Sequence, residues 1–292
     1  MTDRITAQAC AKINLFLDIT ARRTDGYHSL NSVMQQISLA DELTLTLGGR
    51  GDAITLTTDH GALECDEHNL IWRAARAFFT HFGESRDVTV HLTKRIPMQA
   101  GLGGGSADCA AALRALNALC GVPFTTAQLC TMGAALGADV PFCVLGGIAR
   151  AEGIGERLTP LTPMPDCTIV VAMGSETMPT PAAFRTLDGM YDSFTNRRPK
   201  AAEYAALITN LGSLTALADG MYNIFEDAVF PALPALPARL HILTAHGALG
   251  ARMSGSGAAV FGLFDDHFDA HHAADALRES GAQAWLCTPV HA

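Results

Sequence analysis

An α+β fold in two domains is what the sequence predicts, and three observations predict it. From Ala11 to Ile19 apolar and polar residues alternate, the period-two signature of a strand with one buried face. In the last third, strand-like and helical segments interleave rather than forming one regular repeat. The chain has 292 residues, 49% of them hydrophobic, which is enough apolar material for more than one core.

The elements follow in order. Ala11, Ile13, Leu15, Leu17 and Ile19 form the buried face of the first strand, so Lys12 and Asn14 stand side by side on the other. A lone lysine there is ordinarily a solvated side chain. Arg22 to His28 (RRTDGYH) is a turn marked by Asp25-Gly26. Glu42 to Leu47 and Ile54 to Thr57 alternate on either side of a glycine-rich stretch and predict a β-hairpin. Asn69 to Phe82 has helical spacing, and Val88 to Leu92 reads as a strand.

Then comes PMQAGLGGGSADCAAAL, Pro97 to Leu113. Ser106 is the expected N-cap of a helix running to Cys120, ended by Gly121 and Pro123. Thr125 and Gln128 form a capping-box pattern for a second helix. Asp139 falls in a loop before the next apolar segment. Thr159 to Pro181, with five prolines, reads as a transition between domains. The PALPALPAR run at Pro231 to Arg239 reads as a helix terminator, and Leu240 to Thr244 as a strand. Met253 to Gly257 is a glycine turn, followed by a strand from Ala258 to Phe264, a helix from Asp266 to Ser280 and a strand from Gln283 to Cys287.

Composition narrows the partners. A formal net charge of −9 argues against a general nucleic-acid binder, although local anion sites remain open to it. The eight cysteines form no CxxC pair and several lie in apolar runs, the pattern of free thiols in a reducing, cytoplasmic compartment. No apolar run approaches about 20 residues, so no membrane span is expected, and the N-terminus has neither signal- nor transit-peptide character.

A strand, a glycine-rich loop and a helix start together make an anion site. Glycines let backbone N–H groups approach a phosphate, and the helix start adds positive potential. A tight turn with no ligand would not need three consecutive glycines. The loop is not a Walker A motif, because no Gly-Lys-Ser/Thr follows. It lacks the third glycine of a dinucleotide fingerprint, and it does not lie between two strands as a protein-kinase loop does.

Pro97, Gly101, Leu102, Gly103, Gly104, Gly105 and Ser106 instead resemble the ATP loop of the GHMP kinases. Three further segments extend the resemblance: AKINLFL at Ala11 to Leu17 with Arg23 to His28, LGADVPF at Leu136 to Phe142, and MSGSGA at Met253 to Ala258. Together they are most similar to a cytidylyl-substrate member serving isoprenoid precursor synthesis by the non-mevalonate route, over roughly residues 9 to 264. The resemblance implies a ribosomal protein S5 domain 2-like N-terminal domain over residues 1–160. It implies a ferredoxin-like C-terminal domain over 161–292, with the substrates in the cleft between them.

It also implies a reaction, transfer of the γ-phosphate of ATP to the 2-hydroxyl of a cytidylyl methylerythritol. Asp139 would accept the hydroxyl proton, and Lys12 would keep Asp139 ionised and offset developing charge. Asn14 would hydrogen-bond the acceptor, Tyr27 and Phe184 would flank the pyrimidine, and His28 would read its edge. Thr180 belongs to the segment leading to Phe184. Asn69 and Lys94 match positions lining the adenine pocket.

Expected partners are these small molecules alone, with no nucleic acid or membrane, and the chain is expected to be a monomer or weak homodimer. Gln99 and Ala100 stand where the family often has glycine, and Ala107 where it often has a second serine. Mg2+ is therefore expected to be held chiefly by ATP and water, with no protein ligand assigned. Two other readings stay open: a GHMP kinase for another alcohol such as homoserine or mevalonate, and an inactive nucleotide-binding module. His267, His271 and His272 on the last helix include an i, i+4 pair but read as a solvated face among aspartates.

Overall fold

A computed structural model describes residues 3–191, 194, 207 and 211–291. The chain forms two compact units that interleave along the sequence. The first comprises residues 1–11, 39–98 and 103–145; the second comprises 12–38, 99–102 and 146–292. The interleaving arises because two long strands, β1 (Arg4–Arg22) and β2 (His28–Arg50), each run through both.

In the first unit, β4 (Arg86–Thr93) pairs antiparallel with β2 from Glu42 to Leu47 and parallel with β3 (Ile54–Thr58). The expected hairpin is therefore wrong: β4 lies between β2 and β3. Parallel neighbours need a crossover, and α1 (Leu70–Phe82) supplies it between β3 and β4. Asn69 caps α1, with its side chain accepting from Ile71 N at 2.9 Å. The buried face of α1, including Ala74, Ala75 and Phe78, packs on α2 (Gly104–Leu119). Ala107 and the residues from Cys109 to Leu113 in α2 are all buried, and small side chains there admit close helix neighbours.

Helix α2 begins earlier than expected. Its N-cap is Gly103, in a left-handed conformation at φ 70°, and Ser106 is already its third residue. The capping box of Thr125 and Gln128 opens α3 (Thr126–Ala134) as the pattern predicts. A short helix, α4 (Val140–Leu145), follows directly after Asp139.

In the second unit, β2 pairs antiparallel with β5 (Ile148–Gly153) from Leu30 to Gln35, and β5 pairs with β6 (Arg157–Pro160). β1 pairs in parallel with β8 (Tyr222–Asn223). A separate antiparallel sheet has the order β11 (Gln283–Cys287), β7 (Thr168–Met173), β10 (Val260–Phe264), β9 (Gly250–Met253). Numbered by chain order within that sheet, this is fourth-first-third-second, the ferredoxin-like arrangement.

The remaining helices of this unit are α5 (Thr180–Met190), α6 (Leu214–Asp219), α7 (Phe225–Val229), α8 (Ala235–Ala245) and α9 (His267–Glu279). Helices α8 and α9 pack on the sheet, with Leu243, Ala270, Ala273, Ala274 and Leu277 buried beside Val170, Ala172, Val260 and Phe264.

Two more expectations fail here. Thr159–Pro181 is no mere transition, since it contains β7, whose Ile169 to Ala172 are fully buried. The proline run starts a helix instead of ending one, and Leu240–Thr244 lies inside that helix, α8. Prolines fit a first helical turn because its N–H groups have no intrahelical acceptor. No helix among the described residues is long and apolar enough to cross a membrane.

Candidate functional site

Within the second unit, two glycine segments meet backbone against backbone. Gly101 has φ 77°, and a Cβ there would lie 2.1 Å from the Ser254 carbonyl oxygen, so only glycine fits. Ser254 Oγ donates to Gly101 O at 3.0 Å, and Ala259 N donates to Ala100 O at 3.0 Å. Gln99, exposed, takes the left-handed region at φ 55° where the family often has glycine. The loop shape is retained there at a cost of about 1–2 kcal/mol.

Lys12 and Asn14 lie against this junction, only 4% and 3% exposed. Lys12 N donates to Leu102 O at 2.9 Å, which ties β1 to the loop. Asn14 Oδ1 accepts from Lys12 Nζ at 2.6 Å and from Gly255 N at 3.0 Å. Asn14 Nδ2 donates to Ser32 Oγ at 2.9 Å, and Ser32 Oγ donates to Phe16 O at 2.7 Å. The Asn14 amide thus aims the ammonium and holds the 254–257 turn together. Its neighbour Asn223 also grips that turn, and sequence reasoning missed it.

A second cluster in this unit gathers His28, Phe184, Asp188 and Arg22. The His28 ring stacks on Phe184 with centroids 4.7 Å apart and an interplanar angle of 26°. Its Nε2 lies 2.8 Å from Asp188 Oδ1, and Arg22 Nε donates to the same oxygen at 3.0 Å. Burial works to raise the Asp188 carboxyl, but His28 and Arg22 hold it below its ordinary value. Tyr27 is 59% exposed, leaving its ring open to a ligand, while its backbone N donates to Asp25 Oδ1 at 3.1 Å. Thr180, the first residue of α5, shares a 2.8 Å hydroxyl contact with Ser256.

In the first unit, the start of α2 has no side-chain cap, so the amides of Gly104, Gly105 and Ser106 point out of the helix toward any anion placed there. Pro97 leads into this segment and is half-buried. A Cβ on Gly104 would lie 3.2 Å from Lys94 Nζ, so the lysine sits directly beneath the first helical residue.

Lys94 Nζ donates to Asp41 Oδ2 at 2.5 Å and Asp108 Oδ2 at 2.7 Å, all three side chains being nearly inaccessible. Burial works to lower the ammonium, but the two carboxylates win and raise it. Burial also pushes Asp108 up to about 7, with Asp41 adding to it and Lys94 opposing. Asp108 Oδ1 is buried without a hydrogen-bond partner. Sequence reasoning names Lys94 but missed Asp41 and Asp108; Asp108 follows the glycine loop by two residues, a signal that could have found it. Asn69 spends its side chain on capping α1, also donating to Glu64 O at 2.7 Å. Asp139 is half-buried at the start of α4, and its carbonyl accepts from Cys143 N at 3.1 Å.

Metal-ligand chemistry is sparse among the described residues. Glu64, Asp66 and His68 bring ligand atoms within 4.8 Å of one another, but all three are exposed. His267 and His271 are exposed on α9 with their Nε2 atoms 2.9 Å apart.

Comparison with known proteins adds the following. The family model for the GHMP kinases N-terminal domain matches residues 69–147, and that for the GHMP kinases C-terminal domain matches 204–283. A protein of Caldicellulosiruptor saccharolyticus named 4-diphosphocytidyl-2-C-methyl-D-erythritol kinase is 38% identical over 93% of this chain and 92% of its own length. A protein of the same name from Rhodospirillum rubrum is 37% identical, over 97% and 91% respectively. A crystal structure of a 4-(cytidine 5'-diphospho)-2C-methyl-D-erythritol kinase superposes with a TM-score of 0.80 at 35% identity, covering 99% of this chain and 100% of that one. A mevalonate kinase structure matches with a TM-score of 0.74 at 11% identity, a likeness of fold.

Proposed function

This chain belongs to the GHMP kinase family, and from that premise we propose that it phosphorylates the 2-hydroxyl of 4-diphosphocytidyl-2-C-methyl-D-erythritol with ATP. The observation that carries the reading is the buried junction of Lys12, Asn14, Gly101 and Gly255. There a lysine ammonium is aimed by an amide beside two glycine segments, a preorganised charge of the kind phosphoryl transfer needs.

In the proposed step the acceptor oxygen attacks the γ-phosphorus, and the bond from that phosphorus to the β,γ-bridging oxygen breaks. Asp139 takes the hydroxyl proton, and ADP leaves with the bridging oxygen. Lys12 offsets charge on the transferring group. Pro97 and the segment from Gly101 to Ser106 cradle the phosphates, chiefly through backbone amides, with Asn69 and Lys94 on the nucleotide side. A weak base suffices because a loose transition state removes the proton late.

Tyr27, His28 and Phe184 form the pyrimidine end, with Thr180 beside it and Asn14 on the acceptor side. The donor set suits Mg2+ carried on the nucleotide: Asp41 and Asp108 each place an oxygen on Lys94, and position 107 is alanine. When bound, the ion would neutralise phosphate charge. The eight free thiols suit a cytoplasmic setting.

A coupled ADP-release assay with ATP, Mg2+ and the cytidylyl substrate tests the reading. One ADP per phosphorylated substrate is expected. Preference for homoserine or mevalonate would reassign the acceptor, and absence of ADP would make the chain an inactive nucleotide binder.

A further inference from the structure

Asn223 lies in β8, 1% exposed, and every side-chain polar group it has is engaged. Its Nδ2 donates to Met253 O at 2.7 Å and to Gly255 O at 2.8 Å. Its Oδ1 accepts from Phe225 N at 2.9 Å, at the first residue of α7. Its backbone is paired with Leu17, and Ile224 N donates to Leu17 O at 3.0 Å, so the residue is anchored on the strand that carries Lys12 and Asn14.

The chain of contacts continues to the reacting groups. Gly255, whose carbonyl Asn223 holds, donates its own N–H to Asn14 Oδ1, the oxygen that also receives Lys12 Nζ. A Cβ on Gly255 would lie 3.3 Å from Lys12 Nζ and 2.9 Å from Gly101 O, so a small rotation of this turn moves the surroundings of both. The other edge of the turn is held by Glu226, whose Oε1 accepts from Met253 N at 2.9 Å. Two donors on one planar nitrogen, aimed at carbonyls two residues apart, are available from asparagine. An aspartate would place lone pairs against both carbonyls, and a serine would supply one donor.

We propose that Asn223 is a positioning residue for phosphoryl transfer, acting through the Gly255 carbonyl to set the Asn14 amide and the Lys12 ammonium. The inference rests on the proposed kinase reading for its kinetic test but not for its structural one. Charged groups around the position are Lys12, Glu226, Asp227 and Arg252, whose Nε donates to Met221 O at 2.9 Å. Burial pushes Glu226 up to about 7, so the wild-type profile over the same pH range is the baseline for each variant.

The experiment compares Asn223→Asp, Asn223→Ser and wild type as full chains. In Asn223→Asp at about pH 8.5, kcat is expected to fall at least about tenfold, with KM for ATP within about twofold. The variant-to-wild-type ratio should recover toward about pH 6, because the introduced carboxyl regains a donor when protonated. Asn223→Ser should show a smaller loss with no pH recovery. Without any substrate, amide hydrogen exchange across 253–257 should rise at least about tenfold in both variants.

A loss in Asn223→Asp that stays constant with pH, or unchanged exchange at 253–257 in Asn223→Ser, would overturn the proposal. If wild type does not turn over the cytidylyl substrate, the kinase reading fails, and the exchange measurement still decides whether Asn223 holds the turn.

Discussion

At the scale of residues, the centre is built from side chains with few degrees of freedom left. Lys12 is buried, hydrogen-bonded and carried on a strand, so in the proposed reaction its ammonium would need little reorganisation. Asp139 has the complementary part in the proposed reaction. Asp139→Ala is expected to cut kcat by about 100-fold or more while leaving nucleotide affinity within a few-fold. Comparable loss of ATP binding by calorimetry would place Asp139 in another role. Gly101→Ala tests the glycine junction. A Cβ 2.1 Å from Ser254 O, at φ 77°, forces the two segments apart. It should cost at least about 2 kcal/mol by denaturant unfolding and raise KM for ATP. Gln99 shows the contrary case, a left-handed position occupied by an exposed side chain.

At the scale of elements, local chemistry was legible where the deciding atoms are close in sequence. Asp266 caps α9 by accepting from Phe268 N at 2.7 Å and Asp269 N at 3.1 Å. Asp266→Ala should destabilise the protein by about 1 kcal/mol, and thermal unfolding would register it as a modest fall in Tm without loss of specific activity. The capping box of Thr125 and Gln128 was readable for the same reason. Other elements were not. Leu240 to Thr244 is a short apolar run, and short runs do not separate strand from buried helix by period alone. Ser106 has the chemistry of a cap, but Gly103 turns the chain one residue before the helix and leaves Ser106 inside it. The hairpin failed because a strand's partner is chosen by burial across the sheet, and β4 could enter between β2 and β3 once α1 had carried the chain over.

At the scale of the whole molecule, buried carboxyls set a pH dependence. Burial raises Glu226 to about 7, and burial with Asp41 raises Asp108 to the same region. Each group binds its proton more tightly in the folded state than in the unfolded state, where carboxyl values are near 4. Their contribution is therefore intact below about pH 4, declines as pH rises to about 7, and is flat above it. Glu226→Gln removes one of the two while its amide oxygen can still accept from Met253 N. Its Tm relative to wild type should climb between about pH 4.5 and 7 and then level off; a flat difference would mean that Glu226 does not titrate there.

By itself the sequence determined what depends on backbone freedom, period and near neighbours: the glycine loop and its following helix, the first strand with Lys12 and Asn14, the capping box of α3, and the family. Tertiary structure alone decided which distant groups meet. Asn223 reaches Met253 and Gly255, Lys94 joins Asp41 and Asp108, and Asp188 joins His28. Those contacts join residues from 14 to 160 positions apart. Their formation depends on how sheets and helices bury their apolar faces, which leaves no periodic trace in the residues that finally touch.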